Sequence, residues 1–143
     1  MSVKLKKITL WRKELENRAG TLSETLEPLA KAGADLRVVM GYCYPGDRTR
    51  AAVELFPVAS KKTTGAAQSA GLAAASISAV HVEGNNRAGI GHSITHALAD
   101  AGVNLDFLVA HVIGRKFSAV FGFENDADAD KAVGLIKKAT KKK

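Results

Sequence analysis

Residues 17–36, NRAGTLSETLEPLAKAGADL, recur without a gap as residues 86–105, NRAGIGHSITHALADAGVNL, with nine of the twenty positions identical. Agreement of that density at a fixed offset marks an internal duplication. Each copy carries a four-residue turn, Asn17 to Gly20 and Asn86 to Gly89, and then a helix-forming stretch that closes on an Ala-Gly pair. Two similar modules follow from this, and a site built by one loop is expected in two related versions.

Working outward, Leu22, Leu26, Leu29 and Ala30 share one helical face while Glu24, Glu27 and Lys31 take the other, and Gly33 falls where a left-handed cap ends the helix. Pro28 lies inside this helix, where it forfeits a backbone hydrogen bond on the solvent side. Upstream, residues 5–15 read as one strand around Leu10 and Trp11. Downstream, residues 36–44 and 50–56 form a hairpin about Pro45-Gly46-Asp47, a type II turn sequence. Residues 60–73 read as a weakly specified helix interrupted by Gly65, and residues 76–83 as a strand that opens the second copy.

The second copy then reads as a helix from about residue 92 to 101, strands over 105–113 and 117–124 about Gly114-Arg115, and a last helix. Asn125 or Asp126 caps that helix, and Ala129, Ala132, Val133 and Ile136 form its apolar face. Each copy is βαββα, so the class is α+β, antiparallel sheets with helices on one face. Residues 1–75 are the first module and 76–143 the second, with a short Lys-rich tail. Halves of about 70 residues bury a core only marginally alone, so they are expected to share an interface.

Composition narrows the function. Apolar content of 46% and charged content of 24% suit a folded globular chain. No apolar run reaches the roughly 18 residues of a membrane span, and the start MSVKLKKITLW lacks a signal-peptide core, so a cytoplasmic protein with no membrane partner is expected. The net charge of +7 rests on Lys137, Lys138, Lys141, Lys142 and Lys143; without them 16 basic residues stand against 14 acidic. A tail of that kind gives weak, salt-sensitive attraction to polyanions rather than sequence reading. The single cysteine, Cys43, has no partner within the chain and reads as a buried apolar residue.

The strand, the Asn-Arg-x-Gly turn, the helix ending in Ala-Gly-x-Asn/Asp-Leu and the hairpin with its second helix resemble the ACT domain, and the chain from about residue 5 to 139 resembles a free-standing tandem ACT protein. That resemblance implies two ferredoxin-like βαββαβ modules, side-by-side pairing of sheets, and a small effector, usually an amino acid, at the domain interface. It implies regulation, with a regulated enzyme as a further partner, and neither catalysis nor a cofactor. It also gives the ligand-binding set: Asn17, Arg18, Ala19, Gly20, Thr21 and Asp35 in the first copy, and Asn86, Arg87, Ala88, Gly89, Ile90 and Asn104 in the second. The pattern departs in two places. Ala19 and Ala88 stand where the family usually has proline, and no closing strand follows Ala139. The second module thus reads as one strand short, its edge open to another segment or to a partner chain. A homodimer with two-fold symmetry is expected, with residues 117–123 the strand to probe at the contact.

The chemistry of the residues supports such a site separately. Each turn delivers a glycine to a helix start, where unpaired N–H groups and the positive dipole end can hold a carboxylate. Asparagine donates and accepts at once, as a zwitterion requires, whereas ionised Asp35 only accepts and favours an ammonium, so the two sites should differ. Asn17 and Asn86 serve equally well to satisfy loop backbone groups.

Other chemistries fit less well. His92, His96 and Asp100 have chelating spacing, but the buried face of Ile90, Ile94 and Leu98 turns the histidines to solvent. Asp126, Asp128 and Asp130 imitate a calcium loop that fails at Lys131 and Lys137. Arg115-Lys116-Phe117-Ser118-Ala119-Val120 partly resembles the third-strand signature of the RNA-recognition motif, the alternative from another class, yet Ala119 stands where a second stacking aromatic belongs. No convergent catalytic set is present, and an ACT module serving only structure or assembly is the remaining alternative.

Overall fold

The computed structural model describes residues 3–141; Met1, Ser2 and the Lys142-Lys143 end of the basic tail lie outside the described residues. In chain order the elements are β1 (Lys4–Ile8), β2 (Trp11–Glu16), α1 (Thr21–Lys31), β3 (Val38–Tyr44), β4 (Asp47–Phe56), α2 (Lys61–Ser69), β5 (Ala73–Ala74), β6 (Ser78–Asn85), α3 (Ile90–Asp100), β7 (Leu105–Ile113), β8 (Lys116–Phe123) and α4 (Asp126–Ala139). They form two four-stranded antiparallel sheets, ordered β3-β4-β2-β5 and β1-β6-β8-β7. The class is α+β, two ferredoxin-like modules, each an antiparallel sheet with two helices. β8 is an inner strand with both sides paired, which corrects the expectation that residues 117–123 lie at a contact between chains.

The run that reads as one strand over residues 5–15 is two strands, broken at Thr9 and Leu10, and they belong to different sheets. β2 pairs with β4, from Trp11 opposite Leu55 to Glu16 opposite Arg50, within a compact unit of residues 9–76. β1 pairs instead with β6, from Lys4 opposite Glu83 to Ile8 opposite Ala79. It belongs to the other unit, with residues 77 onward. The boundary after residue 75 therefore does not assign the N-terminus: the strand missing after α4 comes from the start of the chain. Val3 and Leu5 pack on that unit's core, and Lys7 bridges Asp126 and Asp130 of α4 at 3.1 and 2.9 Å. In the first unit the two residues of β5 close the sheet against β2.

The first core gathers Leu29, Val53, Leu55, Ala67 and Leu72, with Trp11, Leu15 and Leu26 partly buried against it. The second gathers Val80, Val82, Ile94, Leu98, Phe121 and Ile136 among others. Burying each large apolar side chain contributes about 1.5–3 kcal/mol, which offsets the cost of ordering modules this small. The buried face of α1 differs from the expected one. Thr25 and Leu29 are inside, the Thr25 hydroxyl donating to Thr21 O at 3.0 Å, while Leu22 and Ala30 are exposed. Gly33, at φ 78°, ends α1 as expected; the N–H groups of Gly33 and Ala34 donate to Ala30 O and Leu29 O, each at 3.0 Å. Gly65 does not interrupt α2, which a Ser60–Thr63 capping box starts and the turn at Gly71 (φ 88°) ends. At Gly122 a Cβ would sit 2.1 Å from Phe107 Cε2, so only glycine lets the Phe107 ring lie flat on β8.

Candidate functional site

Both duplicated loops are tied down alike. The Asn17 N–H donates to Thr49 O at 2.9 Å and the Asn86 N–H to Arg115 O at 2.8 Å, fastening each loop to the hairpin beside it. Gly20 (φ 95°) and Gly89 (φ 81°) stand at the N-caps of α1 and α3 in a backbone region that L side chains avoid. Neither helix has a side-chain cap. The other two do: Ser60 caps α2, and Asn125 Oδ1 accepts from the Asp128 N–H at 2.9 Å on α4. The N–H groups of Leu22 and Ser23, like those of Gly91 and His92, consequently meet no acceptor among the described residues. Such groups at the positive end of a helix are ready to receive an anion.

In the first copy this helix start opens on a cavity of about 270 Å³. Asn17, Arg18 and Thr21 line its polar side, and Leu15, Leu22, Ala51 and Ala52 its apolar side. β3 contributes Gly41, Tyr42 and Cys43. A Cβ on Gly41 would be 3.5 Å from Leu22 Cδ2, so the bare glycine keeps the groove between helix and strand open. Cys43 is half-buried on this edge strand rather than inside a core.

Asn17 does satisfy the loop: its Nδ2 donates to Arg48 O at 2.7 Å and faces Cys43 Sγ at 3.4 Å. Its Oδ1 remains able to accept from an ammonium. Arg18 is neutralised by Glu16 at 3.0 Å and Glu24 at 3.3 Å; the hydrogen bonds to Glu16 and then Glu24 hold its guanidinium still more firmly charged. The Thr21 hydroxyl donates to Glu16 O at 3.0 Å and Arg18 O at 3.1 Å.

The remaining expected residues are not gathered with these within a unit. Neither Ala19 nor Gly20 lines the cavity, which the start of α1 reaches through Thr21 and Leu22. Asp35 follows the far end of α1, about 16 Å along an eleven-residue helix from the loop, exposed and paired with Arg37 at 3.2 Å. In the second copy Arg87 donates to Ala139 O at 3.4 Å, Ile90 packs against the core where Thr21 offers a hydroxyl, and Ala88 and Asn104 are exposed. His92 and His96 stack in solvent 5.5 Å apart, with His96 Nε2 3.3 Å from Asp100. No cluster of three or more metal-ligating side chains occurs among the described residues. Phe117, the aromatic of the RNA-like signature, is buried in the second core rather than displayed on an open sheet face.

One pair was legible only in part. Tyr42, a wall of the cavity, donates its hydroxyl to Glu54 Oε2 at 2.8 Å. Glu54 is 2% exposed, and its Oε1 has no partner among the described residues. Burial first, then the bond to Glu54, push the Tyr42 phenol up. Beside it Tyr44 donates to Glu14 at 2.6 Å, and Arg12 and Arg50 close over its ring. The signal was a lone carboxylate inside the otherwise apolar run Ala51-Ala52-Val53-Glu54-Leu55-Phe56.

No family model and no curated protein matches the chain. Solved structures do. Protein BT0572 from Bacteroides thetaiotaomicron is similar with a TM-score of 0.76 and 19% identity, over 94% of this chain and 89% of that one. The ligand-free regulatory subunit of aspartate kinase from Thermus thermophilus is similar at 0.64 and 15%, over 99% and 98%. The corresponding subunit from Thermus flavus is similar at 0.60 and 16%, over 99% and 98%. At these identities the likeness is one of fold. No helix among the described residues is long and apolar enough to cross a membrane.

Proposed function

We propose that this chain is a non-catalytic regulatory protein that holds a small amino-acid-like effector in the first-copy cavity and passes its occupancy to an enzyme partner or to its own self-associated state. The observation that carries this reading is the coincidence of an uncapped helix start with a cavity. The carboxylate would take the N–H groups of Leu22 and Ser23, the ammonium would reach Asn17 Oδ1, and an aliphatic side chain would lie between Leu15, Leu22 and Ala51. Arg18 supplies no net charge, since Glu16 and Glu24 already hold it, so a doubly anionic ligand is disfavoured. The fold shared with the regulatory subunits of aspartate kinase from two Thermus species supports regulation over catalysis.

The test is a thermal-shift screen of the twenty amino acids. A ligand at 100 times its Kd adds about 2.7 kcal/mol to the folded state and raises the melting temperature by several degrees. An amino acid with an aliphatic side chain is expected to give the largest shift. No shift from any amino acid would overturn the reading.

A further inference from the structure

Two of the four histidines of the chain stand on one face of α3, and the effector cavity uses neither. His92 and His96 lie one helical turn apart, so their side chains rise from the same stripe of the helix. Their rings stack with centroids 5.5 Å apart and planes 20° from parallel. Both are exposed, while Ile94 and Leu98 carry the packing on the opposite face. At the same positions of the first copy stand Ser23 and Glu27, and Glu27 pairs with Lys31 at 3.1 Å. The duplication gave both helices a polar outer stripe, but only the second carries two imidazoles on it.

We infer that His92 and His96 bind one divalent transition-metal ion of the zinc, nickel or copper kind, clamped across the first two turns of α3 with water filling the rest of its shell. Such ions take imidazole nitrogen, whereas magnesium and calcium ask for oxygen. A zinc ion at about 2.0–2.1 Å from one nitrogen of each ring lies about 3.2 Å from each ring centre. With the centres 5.5 Å apart, the directions to the two rings open at about 120°, close to the tetrahedral angle. Turning the rings about their side-chain torsions aims a nitrogen of each at this point and leaves the helix where it is. The same four-residue spacing holds zinc in His-Glu-x-x-His helices. Asp100 adds a further part, its Oδ2 lying 3.3 Å from His96 Nε2. When the Nε2 proton is given to that carboxylate, Nδ1 keeps the lone pair that a metal needs, and the carboxylate makes it a more basic ligand. Asp100 is thus a positioning residue.

This site stands apart from the effector reading, whose cavity is lined by first-copy residues, so either can fail alone. Titration calorimetry of the untagged chain with zinc chloride or nickel chloride should give one ion per chain at micromolar concentration, and magnesium chloride should give no heat. His92→Gln and His96→Gln should each weaken binding at least tenfold, and Asp100→Asn about tenfold. His81→Gln and His111→Gln, on β6 and β7, should bind as the native chain does. In nitrogen-15 spectra of the histidine rings, zinc should shift Nδ1 of His96, and Asp100→Asn should release the ring from its single tautomer. No binding up to millimolar ion would overturn the inference, as would binding that is unchanged in both His92→Gln and His96→Gln. A zinc-shifted Nε2 on His96 would overturn the role of Asp100.

Discussion

Tyr42→Phe removes the one hydrogen bond that the buried Glu54 carboxylate makes, without opening a cavity. A buried polar group left unpartnered costs about 1–3 kcal/mol, more when charged. Trp11, partly buried against the core of the same unit, reports its unfolding by fluorescence. With a urea slope of about 1–3 kcal/mol per molar, the midpoint should fall by about 1 M. Glu54→Met removes the charge itself, and replacing a buried charge with an apolar side chain of similar size is often neutral or stabilising. In the Glu54→Met background Tyr42→Phe should therefore cost little, giving a coupling of about 1–3 kcal/mol in the double-mutant cycle. Effects that add to within about 0.5 kcal/mol would refute the view that Tyr42 supports a buried carboxylate beneath the cavity wall.

Gly20→Val and Gly89→Val should each cost about 1–2 kcal/mol in urea unfolding, because both glycines hold positive φ, and calorimetry should find effector binding at the first-copy cavity lost in Gly20→Val. Deleting residues 1–8 should strip the second unit of β1 and of the apolar cover from Val3 and Leu5, costing roughly 2–4 kcal/mol; circular dichroism should then show a transition that precedes the Trp11 fluorescence change. The Asp126 carboxyl is held below the usual range, first by the Ser78 hydroxyl at 2.7 Å and then by Lys7. A depressed folded value means its contribution is complete above the unfolded pKa of about 3.9 and is lost as pH falls through the folded value. Ser78→Ala should move the Asp126 carboxyl titration seen by NMR upward, and an unmoved titration would refute that cause.

The repeat made the loops, the duplicated helices and the β7 range readable, because turn glycines and apolar spacing are local signals. Pairing is not local. Nothing in residues 5–15 marks Thr9-Leu10 as the point where the chain leaves one sheet for another, since every residue there tolerates a strand; the partners that decide it, Ala79 to Glu83 and Arg50 to Leu55, lie far away. The site divides the same way. Asn17 and Arg18 stood out by recurrence, whereas Gly41, Cys43 and Ala51 reach the cavity only through β3–β4 pairing. Asp35 followed the family pattern, but α1 carries it away from the loop in its own copy.

An NMR titration of the isotopically labelled chain with the amino acid that gives the largest thermal shift tests the central claim most directly. Saturation should move the amide protons of Leu22 and Ser23 downfield as they gain a carboxylate acceptor, with smaller changes at Asn17, Gly41 and Cys43. Binding that leaves residues 17–23 unperturbed would contradict the account.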